Sequence, residues 1–361
     1  MGRKLRVGVV FGGRSGEHEV SLVSAKGIMG AMDKNKYEII PIGITKEGRW
    51  ITKGDPMKVL EARAYEPPRS EIDKEGELIS GIQDDFPQVD VIFPVLHGPY
   101  GEDGTVQGLL ELADIPYVGA GVLASAVAMD KSITKAIFQA KGLPVVEHLI
   151  IKRKRWESEP EAVIEEIEGK LGYPCFTKPA NLGSSVGVSK VHGRSELAPA
   201  LDLAARYDRK MLAERAVNNA REIEVSVLGN DDPIASVPGE IIPCREFYDY
   251  RAKYIDDRSE LLIPAPLSPK LTERVRELAI AAYLAIDCAG MARVDFLMDS
   301  DTEELFISEV NTIPGFTPIS MYPKLWEASG ISYSELIDRL IELALERYAD
   351  KSRSETSYTL E

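Results

Sequence analysis

Cysteine and histidine are scarce, with three and four residues respectively in a chain of 361. Cys175, Cys244 and Cys288 lie far apart and match no zinc-ligand or C-x-x-C spacing, so reduced thiols are expected rather than a disulfide framework. His18, His97, His148 and His192 are equally scattered. Positive charge is also short: 43 Lys and Arg against 58 Asp and Glu leave a formal net charge of −15. That balance argues against a nucleic-acid partner. The run Lys152-Arg153-Lys154-Arg155 is the only local exception, and it reads as a solvated face. Long apolar stretches are missing as well. None approaches a membrane span. Behind the basic opening, the run from Val7 to Phe11 is too short for a signal peptide, and Arg6 breaks the myristoylation pattern. No membrane partner and a cytoplasmic setting are therefore expected. There is no repeat of fixed period and no low-complexity tract.

What is present is ordinary globular material, 44% hydrophobic and 28% charged, enough for about two or three domains. Strands and helices alternate along it. Leu5 to Phe11 is an apolar strand ending in Gly12-Gly13-Arg14-Ser15-Gly16, and a helix is expected from Glu19 to Met32. Tyr37 to Thr45 and Asp90 to Leu96 read as strands, the second nearly all apolar and hence buried on both faces. Helical patterns follow at Gly104–Leu112 and Val122–Met129. The segment 46–85 is rich in charge, Pro and Gly and reads as a surface insertion. A second unit opens with a helix at Lys131–Ala140, with strands near His148–Lys152, Pro174–Lys178 and Lys210–Val217 and helices near Pro160–Lys170 and Glu196–Arg206. A third holds strands at Glu222–Leu228 and Ile234–Ile242, a loop Cys244–Leu261, a helix Thr272–Ile286 and a closing helix Tyr333–Tyr348. The polar tail Lys351–Glu361 is expected to be disordered.

The densest chemistry lies in a hairpin near the end. Ala292-Arg293-Val294-Asp295-Phe296-Leu297 and Phe306-Ile307-Ser308-Glu309-Val310-Asn311 read as strands, joined by the polar turn 299–304. Period-two alternation lets Asp295, Glu309 and Asn311 converge as hard oxygen ligands with Arg293 beside them. Such a set suits Mg2+. An acidic solvated face is the plainer reading, disfavoured by the apolar flanks. After Asn311 the chain leaves through Pro314-Gly315, a turn that exposes backbone N–H groups of the kind an oxyanion needs; an ordinary turn is the alternative. Upstream, Phe176-Thr177-Lys178 leads into Pro179-Ala180-Asn181-Leu182-Gly183-Ser184-Ser185-Val186-Gly187. A Gly/Ser loop after a lysine suits phosphate, although no Walker A ending closes it and a surface turn remains open. Met129-Asp130-Lys131-Ser132 has a P-loop-like ending without the glycines.

Together these stretches resemble the ATP-grasp enzymes and, among them, the D-alanine–D-alanine ligase family. The resemblance runs from Val9 to about Tyr348. It is carried by G-G-R-S-G-E-H-E-V-S from Gly12, L-H-G-P-Y-G-E-D-G-T-V-Q-G-L-L-E from Leu96, M-D-K from Met129, K-P-A-N-L-G-S-S-V-G from Lys178, F-Y-D-Y-R-A-K-Y from Phe247 and N-T-I-P-G-F-T from Asn311. It implies an α/β chain with a three-domain ATP-grasp fold and an N-terminal Rossmann-like α/β domain. Residues 1–130 would form that domain, with the first D-alanine site. Residues 131–220 and 221–350 would be the central and C-terminal ATP-grasp subdomains, the latter with a lid at 244–261, and 351–361 the tail.

The same resemblance implies ligation of two D-alanine molecules at the expense of ATP, through a D-alanyl phosphate, for peptidoglycan precursors. Lys131 and Lys178 would bind phosphates under the loop of Ser185, and Glu214, Arg215, Val217 and Glu222 would hold adenine and ribose. Asp295, Glu309 and Asn311 would hold a pair of Mg2+ or Mn2+ ions. Glu17 would meet the ammonium of the first D-alanine with His97 nearby, linked to Ser184 and Tyr254. Arg293 and the Gly315 N–H would stabilise the acyl phosphate and the oxyanion, and Ser320, Met321 and Lys253 would seat the second D-alanine. A homodimer is expected. Plainer readings make His97 a turn histidine, Tyr248, Tyr250 and Tyr254 loop-packing aromatics, and Met321 core. Among rival functions, a nucleotide-dependent oxidoreductase meets G-G-x-x-G in place of G-x-G-x-x-G at Gly12. A non-catalytic nucleotide binder predicts loss of Arg293 or a metal ligand, and all are present. Ligases for D-lactate or D-serine are the nearest alternatives; the tyrosine-rich lid speaks against the lactate type.

Overall fold

The computed structural model describes residues 3–63, 86–242 and 260–355. The first unit is built on β1 (Leu5–Gly12), followed by α1 (His18–Ala31), β2 (Tyr37–Ile44), β3 (Trp50–Ile51), α2 (Pro56–Arg63), β4 (Val91–Val95), α3 (Thr105–Leu112) and α4 (Val122–Met129). Its sheet has the order β3-β2-β1-β4, with β1 parallel to both neighbours. Central position explains why β1 is a continuous apolar run: Val7, Val9, Val10 and Phe11 are all buried. The strand ends at Gly12, whose φ is +94° and where a Cβ would stand 2.2 Å from the Ile44 carbonyl oxygen. Only glycine permits this turn. It delivers residues 13–17 to the carboxyl end of the sheet.

Helix α5 (Lys131–Ala140) leads into the second unit and is capped by Asp130, which accepts from the N–H groups of Ser132 and Ile133. There follow β5 (His148–Lys152), α6 (Arg153–Ser158), α7 (Pro160–Lys170), β6 (Cys175–Pro179), β7 (Ser189–Val191), α8 (Arg194–Tyr207) and β8 (Lys210–Arg215), giving an antiparallel sheet β5-β8-β6-β7. The third unit contains β9 (Arg221–Gly229), β10 (Ile234–Ala235), β11 (Gly239–Ile242), β12 (Glu260–Leu262), α9 (Pro269–Ala285), β13 (Gly290–Met298), β14 (Leu305–Asn311), α10 (Met321–Ala328) and α11 (Tyr333–Lys351). Its sheet runs β12-β11-β9-β13-β14 with β10 on β9. No described helix is long and apolar enough to cross a membrane.

Several expectations are corrected. The strand drawn over Ile234–Ile242 is two, β10 and β11, because Pro238 between them has no N–H for the ladder. The strand ending at Val217 stops at Arg215. The basic run is at the surface as expected, with Lys152 and Lys154 exposed, and its last three residues open α6, where Arg153 Nε donates to the Ala205 carbonyl. Helix α10 was not anticipated. The closing helix continues to Lys351, tied down by the Tyr348 hydroxyl on the Asp114 carbonyl and by Lys351 with Glu111. Of the insertion, 46–63 supplies β3 and α2, while 64–85 lies outside the described residues, as do the lid residues 244–259 and the tail 356–361.

The first unit does not stand alone. Val7, Val9 and Phe93 share one core with Phe316, Tyr322, Trp326, Leu340 and Ile341 from the end of the chain. Phe316 sits at its centre, with Phe93 edge-on at 6.1 Å, Tyr322 at 5.5 Å and Tyr333 at 6.0 Å between ring centroids. The strand exit that carries Gly315 is thereby fixed against the N-terminal sheet. Phe316→Ala should destabilise the fold by about 3–5 kcal/mol, measured by urea unfolding; a loss under about 1 kcal/mol would show that this junction is not closely packed.

Candidate active site

Strands β9, β13 and β14 bring three carboxylates into one row. Register pairs Asp295 with Glu224 on one side and with Glu309 on the other, and Arg293 with Asn311. Like charges directly opposite one another repel, and cations offset them here. Arg293 Nε lies 2.9 Å from Glu224 and 2.7 Å from Asp295, and Arg293 Nη2 donates to the second Asp295 oxygen at 2.7 Å. Burial alone would lower the pKa of this guanidinium; Asp295, Glu224 and Glu309 push it well above its usual value. Lys131 Nζ, from α5, stands 3.2 Å from Glu309 and donates to the Leu182 carbonyl at 2.9 Å. Asn311 Nδ2 donates to Asp295 at 2.9 Å.

Opposite this row, the second sheet contributes a lysine pair around one carboxylate. Glu214, at the end of β8, has one oxygen 2.6 Å from Lys178 Nζ and the other 3.2 Å from Lys135 Nζ. Burial would raise the Glu214 pKa, but the two ammonium groups hold it down to about 2. Burial, with Lys178 and Lys131 nearby, pulls the Lys135 pKa down against the opposing effect of Glu214. A cavity of about 720 Å³ opens here, lined by Lys131, Lys178, Ser185, Glu214, Val217 and Glu222 among others. Glycine-rich residues 183–187 roof it, with Ser184 and Ser185 both left-handed at φ 53° and 57°, a conformation that strains a residue bearing a Cβ.

A second cavity of about 390 Å³ adjoins it, and Gly183, Glu224 and Glu309 line both. From the N-terminal unit come Glu17, Val20, His97 and Glu102; from the C-terminal unit come Arg293, Gly315, Ser320 and Lys324. The Ser184 hydroxyl donates to Glu17, joining the loop to the N-terminal unit. His97 is buried, with Nδ1 3.1 Å from the Ile313 carbonyl and 3.8 Å from Glu102. Its Nε2 has no hydrogen-bond partner among the described residues. Burial and the Glu17 charge raise the Glu102 pKa; Glu102 and Glu17 raise that of His97 against its own burial. This cluster therefore holds protons more tightly than its members would in water.

Residues 6–120 match the family described as D-ala D-ala ligase N-terminus, and residues 137–342 that described as D-ala D-ala ligase C-terminus. The chain belongs to the D-alanine–D-alanine ligase family. The D-alanine–D-alanine ligase of Chloroherpeton thalassium is 54% identical over 360 residues, covering 96% of this chain and 98% of the relative. That of Thermoanaerobacter pseudethanolicus is 57% identical over 358 residues, covering 97% and 99%. Among solved structures, the D-alanine-D-alanine ligase from Coxiella burnetii superposes with a TM-score of 0.82 at 36% identity, covering 98% of this chain and 97% of that one. The VanG D-Ala:D-Ser ligase from Enterococcus faecalis gives 0.81 at 38%, covering 95% and 100%. The mixed α/β architecture is the ATP-grasp fold of these enzymes.

Against the expectations drawn for a member of this ligase family, Lys131, Lys178, Ser185, Glu214, Arg215, Val217, Glu222, Asp295 and Glu309 line the larger cavity. Glu17, His97, Ser184, Arg293, Glu309, Asn311, Gly315, Ser320 and Met321 line the smaller. One side chain points elsewhere. Arg215 reaches the Lys170 carbonyl and Glu147 on the outer surface, leaving its backbone to the cavity. Met321 lines the smaller cavity and is also packed in a buried cluster with Ile241 and Leu325. Lys253 and Tyr254 lie outside the described residues. Among the described residues no group of three or more Asp, Glu, His or Cys side chains is gathered as a metal cage. Asp295 is instead drawn to Arg293, and Glu309 to Lys131.

Sequence reading passed over Glu224, Glu102, Lys135 and Lys324. Glu224 was within reach, since it shares a strand face with Glu222, and Lys135 follows Lys131 by one helical turn. Glu102 lies in the motif that starts at Leu96, two residues beyond Tyr100, but carried no assigned role; Lys324 gave no local signal. The depressed Glu214 titration makes a sign-definite prediction. From an ordinary value of 4.5 it is held at about 2, so its ion pairs stabilise the fold fully above the first value and are lost as pH falls through the second. The stability gap between the parent and Glu214→Gln, from urea unfolding at several pH values, should be widest near neutrality and close on acidification. A gap independent of pH would contradict the ion-pair assignment.

Proposed function

We propose that this chain joins two D-alanine molecules into D-alanyl-D-alanine, with ATP converted to ADP and phosphate, and that the two adjoining cavities divide the work. The carrying observation is that Arg293, Glu309 and the loop 183–185 stand where a nucleotide cavity rich in lysine opens into a smaller one lined by Glu17 and Gly315. The larger cavity takes ATP, with Lys131 and Lys178 at the phosphates and the backbone near Val217, with Glu222, at adenine and ribose. The smaller takes the amino acids. Glu17 receives the ammonium of the first, and Ser320 and Lys324 face the carboxylate end of the second.

A carboxylate is a poor electrophile, so the γ-phosphoryl group is first moved onto the first D-alanine. That transfer needs positioning and charge neutralisation more than bond-making by the protein. Arg293, already held by Glu224 and Asp295, is preorganised for the developing charge and costs little reorganisation when the reaction occurs. The second amine then attacks the acyl carbon, the Gly315 N–H and Arg293 face the oxyanion, and phosphate leaves. Asp295, Glu309 and Asn311 are oxygen donors of the hardness Mg2+ or Mn2+ prefers, and they are the residues that would hold such ions. The ions would neutralise phosphate charge there. The product serves peptidoglycan precursors, the setting is the cytoplasm, and a homodimer would give a light-scattering mass near twice the 39.8 kDa of one chain.

Phosphate release from ATP with D-alanine, D-serine or D-lactate as second substrate, with products identified by mass spectrometry, tests the assignment. D-Alanyl-D-alanine is expected as the main product; mostly D-alanyl-D-serine or D-alanyl-D-lactate in competition would replace it. Arg293→Ala should lower kcat by about 10²–10³, or about 2.7–4 kcal/mol, far more than it weakens ATP binding. Asp295→Asn and Glu309→Gln should fold and turn over much more slowly, and parent rates with unaltered Mg2+ dependence would exclude them as metal ligands.

A further inference from the structure

Lys135 is a charged side chain that the mechanism above does not use. It sits inside α5 with 1% of its surface exposed and does not line either cavity. Among the described residues its counter-ion is Glu214, and that carboxylate is shared: Lys178 approaches from the cavity side at 2.6 Å, Lys135 from behind at 3.2 Å. Neither Lys135 Nζ nor the facing Glu214 oxygen has a hydrogen-bond partner among the described residues. The contact is thus an ion pair at close range without an aligned hydrogen bond. A buried ammonium is costly to keep, and for stability alone a methionine of similar length would serve.

We propose that Lys135 is a positioning residue for nucleotide selection, holding Glu214 as an ionised acceptor for the purine 6-amino group when Lys178 turns to phosphate. The inference rests on the reading that the larger cavity takes ATP. Triphosphate entering that cavity attracts Lys178, which lines it, and Glu214 then loses the nearer of its two cations. Without Lys135 the carboxylate would be left buried and uncompensated, and it would take up a proton. A protonated carboxyl carries an O–H donor; an ionised one only accepts. Adenine offers a 6-amino donor to that edge, whereas hypoxanthine offers a 6-oxo acceptor that an ionised carboxylate repels. Selection is therefore set by the charge state and orientation of Glu214, and the cation behind it controls both. The hold of both lysines on Glu214, strong enough to keep its pKa at about 2, agrees with this arrangement.

The test uses the full chain with Mg2+ and D-alanine, comparing ATP with inosine triphosphate. Calorimetric nucleotide binding serves as a readout independent of turnover. In Lys135→Met the ratio of kcat/KM for ATP over inosine triphosphate should fall about tenfold or more, mainly through the KM for ATP. Lys135→Arg should keep the preference. Because Lys135 acts through Glu214, adding Lys135→Met to Glu214→Gln should lower the ratio no further than Glu214→Gln alone. Should Lys135→Met not fold, Lys135→Gln gives the same comparison. An unchanged ratio in folded Lys135→Met or Lys135→Gln, a lost preference in folded Lys135→Arg, or additive losses in the double variant, overturns the role of Lys135. A parent chain that binds neither nucleotide overturns the reading of the cavity itself.

Discussion

Compensation of charge across the strand row Glu224–Asp295–Glu309 is the constraint on which the site depends. Three carboxylates facing the same cleft from adjacent strands repel one another, and the arrangement stands because Arg293 grips two of them while Lys131 reaches the third. Each cation arrives by a different route. Arg293 lies on the same strand as Asp295, so the period-two alternation supplies it. Lys131 comes from the first turn of α5, and its position depends on Asp130, which caps that helix and also pairs with Lys210 on β8. The carboxylate row thus joins the C-terminal sheet to the helix and sheet that lie opposite it.

That linkage also explains how two cavities of different character share a wall. The larger faces lysines and apolar residues such as Phe176 and Val217, and the smaller faces acidic groups from the N-terminal unit. A short loop separates them, with Ser184 bonded to Glu17 on one side and Ser185 lining the larger cavity on the other. Left-handed backbone at both serines is a local strain that the surrounding contacts must maintain. His97 and Glu102, whose pKa values are both raised, line the smaller cavity together with Glu17.

Much of this was legible residue by residue. The hairpin at 292–311 declared itself because buried strands alternate and because carboxylates among apolar neighbours need a reason. Helix α5 was read from the sequence with the bounds it has in the structure, Lys131–Ala140. Other features resisted for identifiable causes. The break between β10 and β11 depends on one proline in a β-rich stretch. The extension of α11 depends on contacts of Tyr348 and Lys351 with Asp114 and Glu111, more than two hundred residues earlier in the chain. The outward turn of the Arg215 side chain reflects partners at Lys170 and Glu147 that no local pattern announces.

By itself the sequence determined most of the strands and helices, the strand faces of the 292–311 hairpin and the chemical nature of the donors, since these follow from local periodicity and side-chain chemistry. Tertiary structure alone decided which charges meet. The Glu214 carboxyl is pulled down to a pKa of about 2, against the effect of its own burial, only because Lys135 from α5 and Lys178 from β6 close on it from two sides. His97 is a buried, proton-rich group and not a turn histidine only because Ile313, Glu102 and Glu17 surround it. Electrostatic energy in a low-dielectric interior depends on distances between groups that are remote along the chain, and local sequence pattern carries no record of those distances.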